Sequence, residues 1–87
     1  MKVRKKPVIV EAFKWGKEAP QWFIKAYQSG KIYYDKRTSE LTIETLEGNM
    51  IVRDMDWIIQ GVNGEIYPVK DDIFKKTYEI LGDDNRW

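Results

Sequence analysis

The stretch from residue 56 to residue 74, DWIIQGVNGEIYPVKDDIF, carries the clearest structural signals of this 87-residue chain. Asn63-Gly64 between two apolar runs is the strongest short signal for a β-hairpin. Pro68 cannot donate to a strand ladder, so the second strand of that hairpin is predicted at a sheet edge. Asp71 or Asp72 is then predicted to cap a closing helix.

Working outwards from this hairpin, runs of β-branched and aromatic residues predict further strands over residues 8–15, 31–36, 40–46 and 50–53. Apolar positions at helical spacing follow Pro20 and predict a helix over about 19–28. A second helix is expected to end at Gly82. This order predicts an α+β fold: a small, strongly bent antiparallel sheet or partial barrel of five to six strands with two helices. We expect one domain over residues 1–82 and a mobile tail over 83–87.

Both rows of alternating side chains in the strand at 8–15 are mostly apolar, which predicts a central position in the sheet. Glu11 interrupts one of these rows. A carboxylate there needs a charged partner or a watery cleft.

The composition excludes several function classes. The chain contains no cysteine and no histidine. These absences remove thiol nucleophiles, the usual zinc sites and the Ser-His-Asp and Cys-His arrangements. No apolar run approaches the ~20 residues that span a bilayer, and no signal-peptide pattern follows the first residues. We therefore expect an intracellular, soluble protein without catalytic residues, bound metal or cofactor.

Charge is unevenly distributed. Lys2, Arg4, Lys5 and Lys6 place four positive charges in the first seven residues, whereas the other 80 residues have a net charge of −3. A basic arm on a mildly acidic body indicates an anion-binding edge and argues against a general nucleic-acid surface. A solvated terminus without a ligand is the structural alternative.

Two long motifs, RKKPVIVEAFKW at residues 4–15 and DWIIQGVNGEIYPVKDDIFKKTYE at 56–79, resemble a widespread family of small phage and prophage proteins. They cover about half of the chain, and the middle matches only in general character. The family usually has Gly where Met55 stands, and often Cys at Val69 and Pro at Asp71. The first departure bears on the turn before Asp56-Trp57, whereas the other two are minor.

This resemblance implies a phage-encoded sponge protein, which sequesters a cyclic dinucleotide immune signal such as cyclic GMP-AMP in the cytoplasm of the infected bacterial host, without hydrolysing it. Such proteins work as small homo-oligomers, tetramers or dimers. The twelve aromatic residues, 14% of the chain, agree with this because they are many for one thin core.

A cyclic dinucleotide needs ring faces for its bases, cations for its phosphates and polar groups for its purine edges. On that basis we predict eight ligand-binding residues near the ends of the two motifs: Arg4, Lys5, Lys6, Glu11, Trp15, Glu65, Tyr67 and Lys70. Each has a structural alternative. Trp15 and Trp57 suit a core, Glu11 suits a buried ion pair, and Lys70 suits a salt bridge at the helix start.

A second function remains open at this stage. The aromatic residues also suit the interface of a phage protein–protein interaction module that inhibits a host enzyme. Titration with cyclic dinucleotides separates the two functions, because only the sponge binds them.

Overall fold

The computed structural model describes residues 1–3 and 7–81. Within them the elements run β1 (Glu11–Lys14), α1 (Gln21–Gln28), β2 (Ile32–Asp35), β3 (Glu40–Thr45), β4 (Gly48–Val52), β5 (Trp57–Gln60), β6 (Ile66–Val69) and α2 (Asp71–Thr77). The predicted α+β class is thereby confirmed. Arg4, Lys5, Lys6 and the tail expected over 83–87 lie outside the described residues.

The strands form two separate three-stranded antiparallel sheets in the described part of the chain. The first sheet has the order β1–β5–β6 and the second sheet the order β2–β3–β4. The expected single bent sheet or partial barrel is not confirmed, because no ladder joins the two sheets among these residues. The chain passes between them in a turn, in which the Asp56 carboxylate accepts a bond from the backbone N–H of Arg53 at 3.0 Å.

β1 lies at an edge of the first sheet, so the predicted central position is wrong. Side chains on both faces of β1 are mostly apolar because other elements cover both faces of the first sheet. Phe13 packs towards α1 and the second sheet, and Ala12 packs in the cluster under α2. Glu11 pairs with Gln60, the last residue of β5, so the ladder between β1 and β5 stops at this pair. β1 therefore begins at Glu11, whereas the sequence predicted a strand that begins at residue 8.

The core has two parts. The larger fills the space between the two sheets and α1, and its buried members are Phe13, Phe23, Ile32, Leu41, Ile43, Val52 and Ile58. The smaller lies between the first sheet and α2 and is built on Trp57, Ile59 and Phe74. Burial of these side chains is the main force that holds the two sheets together.

The predicted helix over about 19–28 is present as α1, but it begins two residues later than predicted, at Gln21. Pro20 has extended backbone at the N-cap position, and its carbonyl oxygen accepts bonds from the N–H groups of Phe23 and Ile24 at 3.1 and 3.2 Å. Phe23 is the buried residue of the helix. The helix thus presents one narrow apolar face to the larger core.

α2 is shorter than predicted, and the predicted aspartate cap is wrong. Lys70 occupies the N-cap position, without a side-chain cap bond. Asp71 and Asp72 lie in the first turn, where negative charge still favours the helix dipole. The helix ends at Thr77 because Tyr78 turns to extended backbone at φ −120°. Leu81, which a helix ending at Gly82 would include, lies beyond the helix and is exposed.

The predicted hairpin between β5 and β6 is confirmed. The N–H of Gly61 donates to the carbonyl of Glu65 at 2.8 Å, and Gly64 adopts the left-handed φ of 82° that glycine tolerates best. Pro68 lies in β6, at the edge of the first sheet as predicted. Of the helices in the described ranges, none has the length and apolar character that crossing a membrane requires.

Candidate functional site

An open cleft of about 590 Å³ lies where the end of β1 meets the ends of β2 and β4. Its lining consists of Trp15, Gly16, Tyr34, Thr38, Ser39, Glu40, Val52, Arg53 and Asp54. We call it the first cleft. Its lining residues include a tryptophan, a tyrosine, an arginine, a threonine, a serine and two acidic residues, and its volume falls in the ~300–1,000 Å³ range of small-molecule sites.

Trp15 is held at the cleft by backbone and ring contacts. Its backbone N–H donates to the backbone carbonyl of Asp56 at 2.8 Å, which extends the pairing of β1 with β5. Its ring meets Phe13 edge-on at 6.4 Å and Phe23 at 5.7 Å. The side chain is half-buried, so it contributes both to the core and to the cleft surface.

Tyr34 and Arg53 come from opposite edges of the second sheet. Tyr34 pairs with Leu41, which pairs with Val52, so all three lie in one cross-strand row. Leu41 and Val52 are buried, whereas the Tyr34 side chain is 42% exposed at the cleft. Arg53 follows Val52 directly, and it is the cation of the cleft lining.

The turn after β4 positions both Arg53 and Trp15. Met55 sits in this turn with a left-handed φ of 77°, and its N–H donates to the carbonyl of Trp15 at 3.4 Å. The backbone here has the conformation that glycine favours, and the methionine side chain adopts it at a cost.

Replacing Met55 with glycine is therefore expected to raise the free energy of unfolding by about 0.5–1 kcal/mol, the relief of left-handed strain less the added chain entropy of glycine. Urea unfolding measures the change. Met55→Ala is the control, since alanine keeps the Cβ atom and hence the strain. Equal stability of the two variants would contradict the strain argument.

Glu11 lies in a second cleft, of about 740 Å³, which also includes Lys17, Glu18 and Trp22. Its carboxylate is exposed, so the watery cleft required by the sequence is present. Glu11 and Trp15 stand four residues apart along the extended chain, about 13 Å at ~3.3 Å per residue. Glu11 therefore does not share the first cleft with Trp15.

Glu65 lies in the β5–β6 hairpin, close to the end of the sheet that carries Glu11. Its Oε1 accepts a long bond of 3.4 Å from the N–H of Asn63. The side chain also covers Gly61, where an added Cβ atom would collide with it. In this position Glu65 shapes the hairpin.

Tyr67 faces α2 rather than the first cleft. It pairs with Ile59, packs in the smaller core, and its hydroxyl lies 3.4 Å from that of Tyr78. Burial, followed by the contact with Tyr78, raises the pKa of Tyr67 to about 12. The phenol is thus neutral at physiological pH and half-buried. Lys70 is exposed just before α2, on the Trp57 end of β6.

The Asp71 carboxylate makes three polar contacts at the start of α2. Its Oδ1 accepts a bond of 2.8 Å from Nε1 of Trp57 and lies 3.5 Å from Nζ of Lys14, and its Oδ2 lies 3.0 Å from Nζ of Lys75. The bond from Trp57, followed by Lys75, lowers the pKa of the Asp71 carboxyl to about 2. The ion pairs of Asp71 with Lys14 and Lys75 thus form at the start of α2, where Lys70 was the expected partner.

Of the eight predicted residues, the structure describes five, Glu11, Trp15, Glu65, Tyr67 and Lys70, and it does not gather these five into one site. Trp15 lies in the first cleft, Glu11 in the second, Glu65 in the hairpin, and Tyr67 in the smaller core beside α2. Tyr34 and Arg53 join Trp15 although sequence reasoning missed them. The alternation of β2 gave no signal for Tyr34, because Tyr33 and Tyr34 look alike until the register is known.

Among residues 1–3 and 7–81, no three carboxylates come together as a metal site. No model of a known protein family matches the chain, and neither a curated protein nor a solved structure matches it. The functional conclusion therefore depends on the geometry of the first cleft and on the sequence itself.

Proposed function

We propose that this chain is a phage-encoded binding protein that sequesters a cyclic dinucleotide signal of the bacterial host in the first cleft. Binding without hydrolysis suppresses the anti-phage response that the signal triggers. The observation that carries the proposal is the meeting of Trp15, Tyr34 and Arg53 around one open cleft of about 590 Å³.

The lining contains residue types that suit the two bases and one of the two phosphates of the ligand. Trp15 and Tyr34 offer ring faces on which purine bases stack, and each stacked base contributes ~1–3 kcal/mol. The Arg53 guanidinium suits a phosphate through paired N–H donors. The carboxylates of Glu40 and Asp54 accept bonds from the N–H groups of a purine edge.

The residue types favour binding over turnover. The chain has no histidine and no cysteine, so the commonest general base near neutral pH and the thiol nucleophile are lacking. A sponge requires neither. The long motifs at residues 4–15 and 56–79 support the phage setting through their resemblance to small phage proteins.

Calorimetric titration of the purified chain with cyclic GMP-AMP and other purine cyclic dinucleotides tests the function. We expect saturable binding of at least one of them, and recovery of the intact ligand after the protein is denatured. Absence of binding at micromolar ligand would contradict the sponge function. Recovery of linear or mononucleotide products would contradict binding without turnover.

Two adjacent tyrosines test the location of the site. Tyr34→Ala is expected to weaken binding about 5- to 150-fold, the equivalent of one lost stacking contact. Tyr33→Ala is the matched control, because Tyr33 is 44% exposed but lies in the next cross-strand row, outside the cleft lining. Its affinity should stay near the wild-type value.

Arg53→Ala is expected to weaken binding at least tenfold through loss of a charge-assisted phosphate contact. Normal binding by both Tyr34→Ala and Arg53→Ala would mean that the ligand occupies another surface. The sponge function would then survive, and its assignment to the first cleft would not.

A phage protein–protein interaction module is the second candidate. The observation that favours it is the exposed row Tyr33–Thr42–Ile51 on the outer face of the second sheet, in which Tyr33 and Ile51 are each 44% exposed. Aromatic and branched apolar side chains of this kind anchor protein interfaces. A chain that binds no cyclic dinucleotide but inhibits a purified host enzyme would support this candidate.

A further inference from the structure

The free edge of β4 is the least protected strand edge among the described residues. Four of the five residues of β4 are exposed, and only Val52 is buried. The strand is an edge of the second sheet, with β3 on its one paired side. Exposed edges pair readily with further strands unless charged residues or proline block them.

The other three edge strands carry such residues, and β4 does not. Lys14 lies in β1, Asp35 in β2 and Pro68 in β6. The sequence of β4 is Gly-Asn-Met-Ile-Val, with neither a charge nor a proline. This difference singles out β4 as the edge open to a further strand.

The backbone of β4 has free groups in a regular pattern. Glu44 donates its N–H to Lys31 on the side of β2, so its backbone groups point away from β4. Its partner Asn49 is therefore in a non-hydrogen-bonded pair, and by alternation so is Ile51. The N–H and C=O groups of Asn49 and Ile51 consequently face outwards at the edge.

We propose that β4 pairs antiparallel with β4 of a second copy of this chain, centred on Met50. In this register the outward groups of Asn49 meet those of the partner's Ile51, and the reverse holds across the two-fold axis. Four backbone hydrogen bonds then join two second sheets into one sheet of six strands. The proposal concerns the chain without ligand, because its charge pair uses Arg53, the residue to which the proposed function assigns a phosphate.

Charge complementarity between Glu47 and Arg53 favours this register and favours a second copy of the chain as the partner. Centring on Met50 brings Glu47 opposite the partner's Arg53, and the two-fold axis creates the same pair a second time. Neither Glu47 nor Arg53 forms an ion pair with another residue in the ranges 1–3 and 7–81. A register shifted by one residue in each copy, centred on Asn49 or Ile51, keeps only two of the four backbone bonds within β4 and loses both charge pairs.

Light scattering of the full chain without ligand tests the dimer. We expect a mass of twice 10.4 kDa at submillimolar concentration. Ile51→Pro removes an outward N–H that β3 does not use, so the variant should run as a monomer with wild-type circular dichroism. Ile51→Thr keeps the N–H and should remain dimeric. A monomeric wild-type chain, or a folded dimeric Ile51→Pro variant, would overturn the proposal.

A charge exchange tests the register. Glu47→Arg should raise the dimer dissociation constant about tenfold, because two opposite-charge pairs become like-charge pairs. Adding Arg53→Glu to the same chain should restore the wild-type constant. Failure of the double variant to recover would overturn the Met50-centred register. Mass alone is read here, so loss of ligand binding through Arg53 cannot be mistaken for loss of the dimer.

Discussion

Replacing Trp57 with alanine is expected to lower the free energy of unfolding by about 3–5 kcal/mol, a typical cost for deleting a large buried ring. Trp57 is 5% exposed and stacks on Phe74 with ring centroids 3.9 Å apart and planes at 5°. It also donates Nε1–H to Asp71. A domain of this size has a total stability of only about 4–13 kcal/mol, so the variant should lose much of its margin in a urea titration.

Trp57→Phe separates the ring from its polar contact. Phenylalanine can keep the stack on Phe74 but has no donor for the Asp71 carboxylate. Most of the stability should therefore return relative to alanine. A Trp57→Phe variant as unstable as Trp57→Ala would mean that the bond to Asp71, rather than ring burial, dominates.

The same variant has a consequence in acid. The folded-state pKa of Asp71 is lowered from 3.8 to about 2, so this carboxylate stabilises the fold above pH 3.8 and loses that contribution as the pH falls towards 2. Without the bond from Trp57, the pKa should rise back towards 3.8. The melting temperature of Trp57→Phe should then depend less on pH in this window than that of the wild type.

Most of the secondary structure could be predicted from local patterns. Asn63-Gly64 and Pro68 identified the hairpin and its edge strand, because turn chemistry and proline geometry act within a few residues. The division into two sheets could not be predicted in the same way. The strands on either side of the turn at Arg53 and Asp56, β4 and β5, do not pair with each other but belong to different sheets. The periodicity within a strand does not indicate which other strand it pairs with.

The end of α2 shows a similar limit. The sequence predicts a helix that ends at Gly82, whereas α2 ends at Thr77. Tyr78 instead stacks on Phe74 at 5.1 Å and places its hydroxyl beside that of Tyr67. The contact with Tyr67, which lies eleven residues away in sequence, is a tertiary contact of the kind that overrides local propensity.

The candidate site was predictable only in part. Trp15 lies at the end of a recognisable strand, so its place beside a cleft followed from the sequence. Tyr34 and Arg53 belong to different strands, and only the register of the second sheet brings them together. Tyr67 was chosen because proline places it near an edge, but α2 covers the face on which its ring lies.

Replacing Phe13 with alanine is also expected to cost about 3–5 kcal/mol of unfolding free energy. Phe13 is fully buried and makes edge-to-face contacts with Phe23 at 5.0 Å and Trp22 at 5.6 Å, which fasten α1 to the first sheet. Deleting it leaves a cavity between these rings that the two sheets cannot readily close. Urea unfolding measures the loss.

Phe13→Leu is the control, because it keeps most of the volume and should cost only about 1–1.5 kcal/mol. The two Phe13 variants also test a link between the core and the first cleft, because the Phe13 ring contacts the Trp15 ring edge-on. Under conditions where Phe13→Leu is fully folded, its affinity for the proposed cyclic dinucleotide ligand should fall if Trp15 is a stacking platform, because the ring loses its fixed orientation. An unchanged affinity would mean that Trp15 serves the core alone, and that Tyr34 and Arg53 bind the ligand without it.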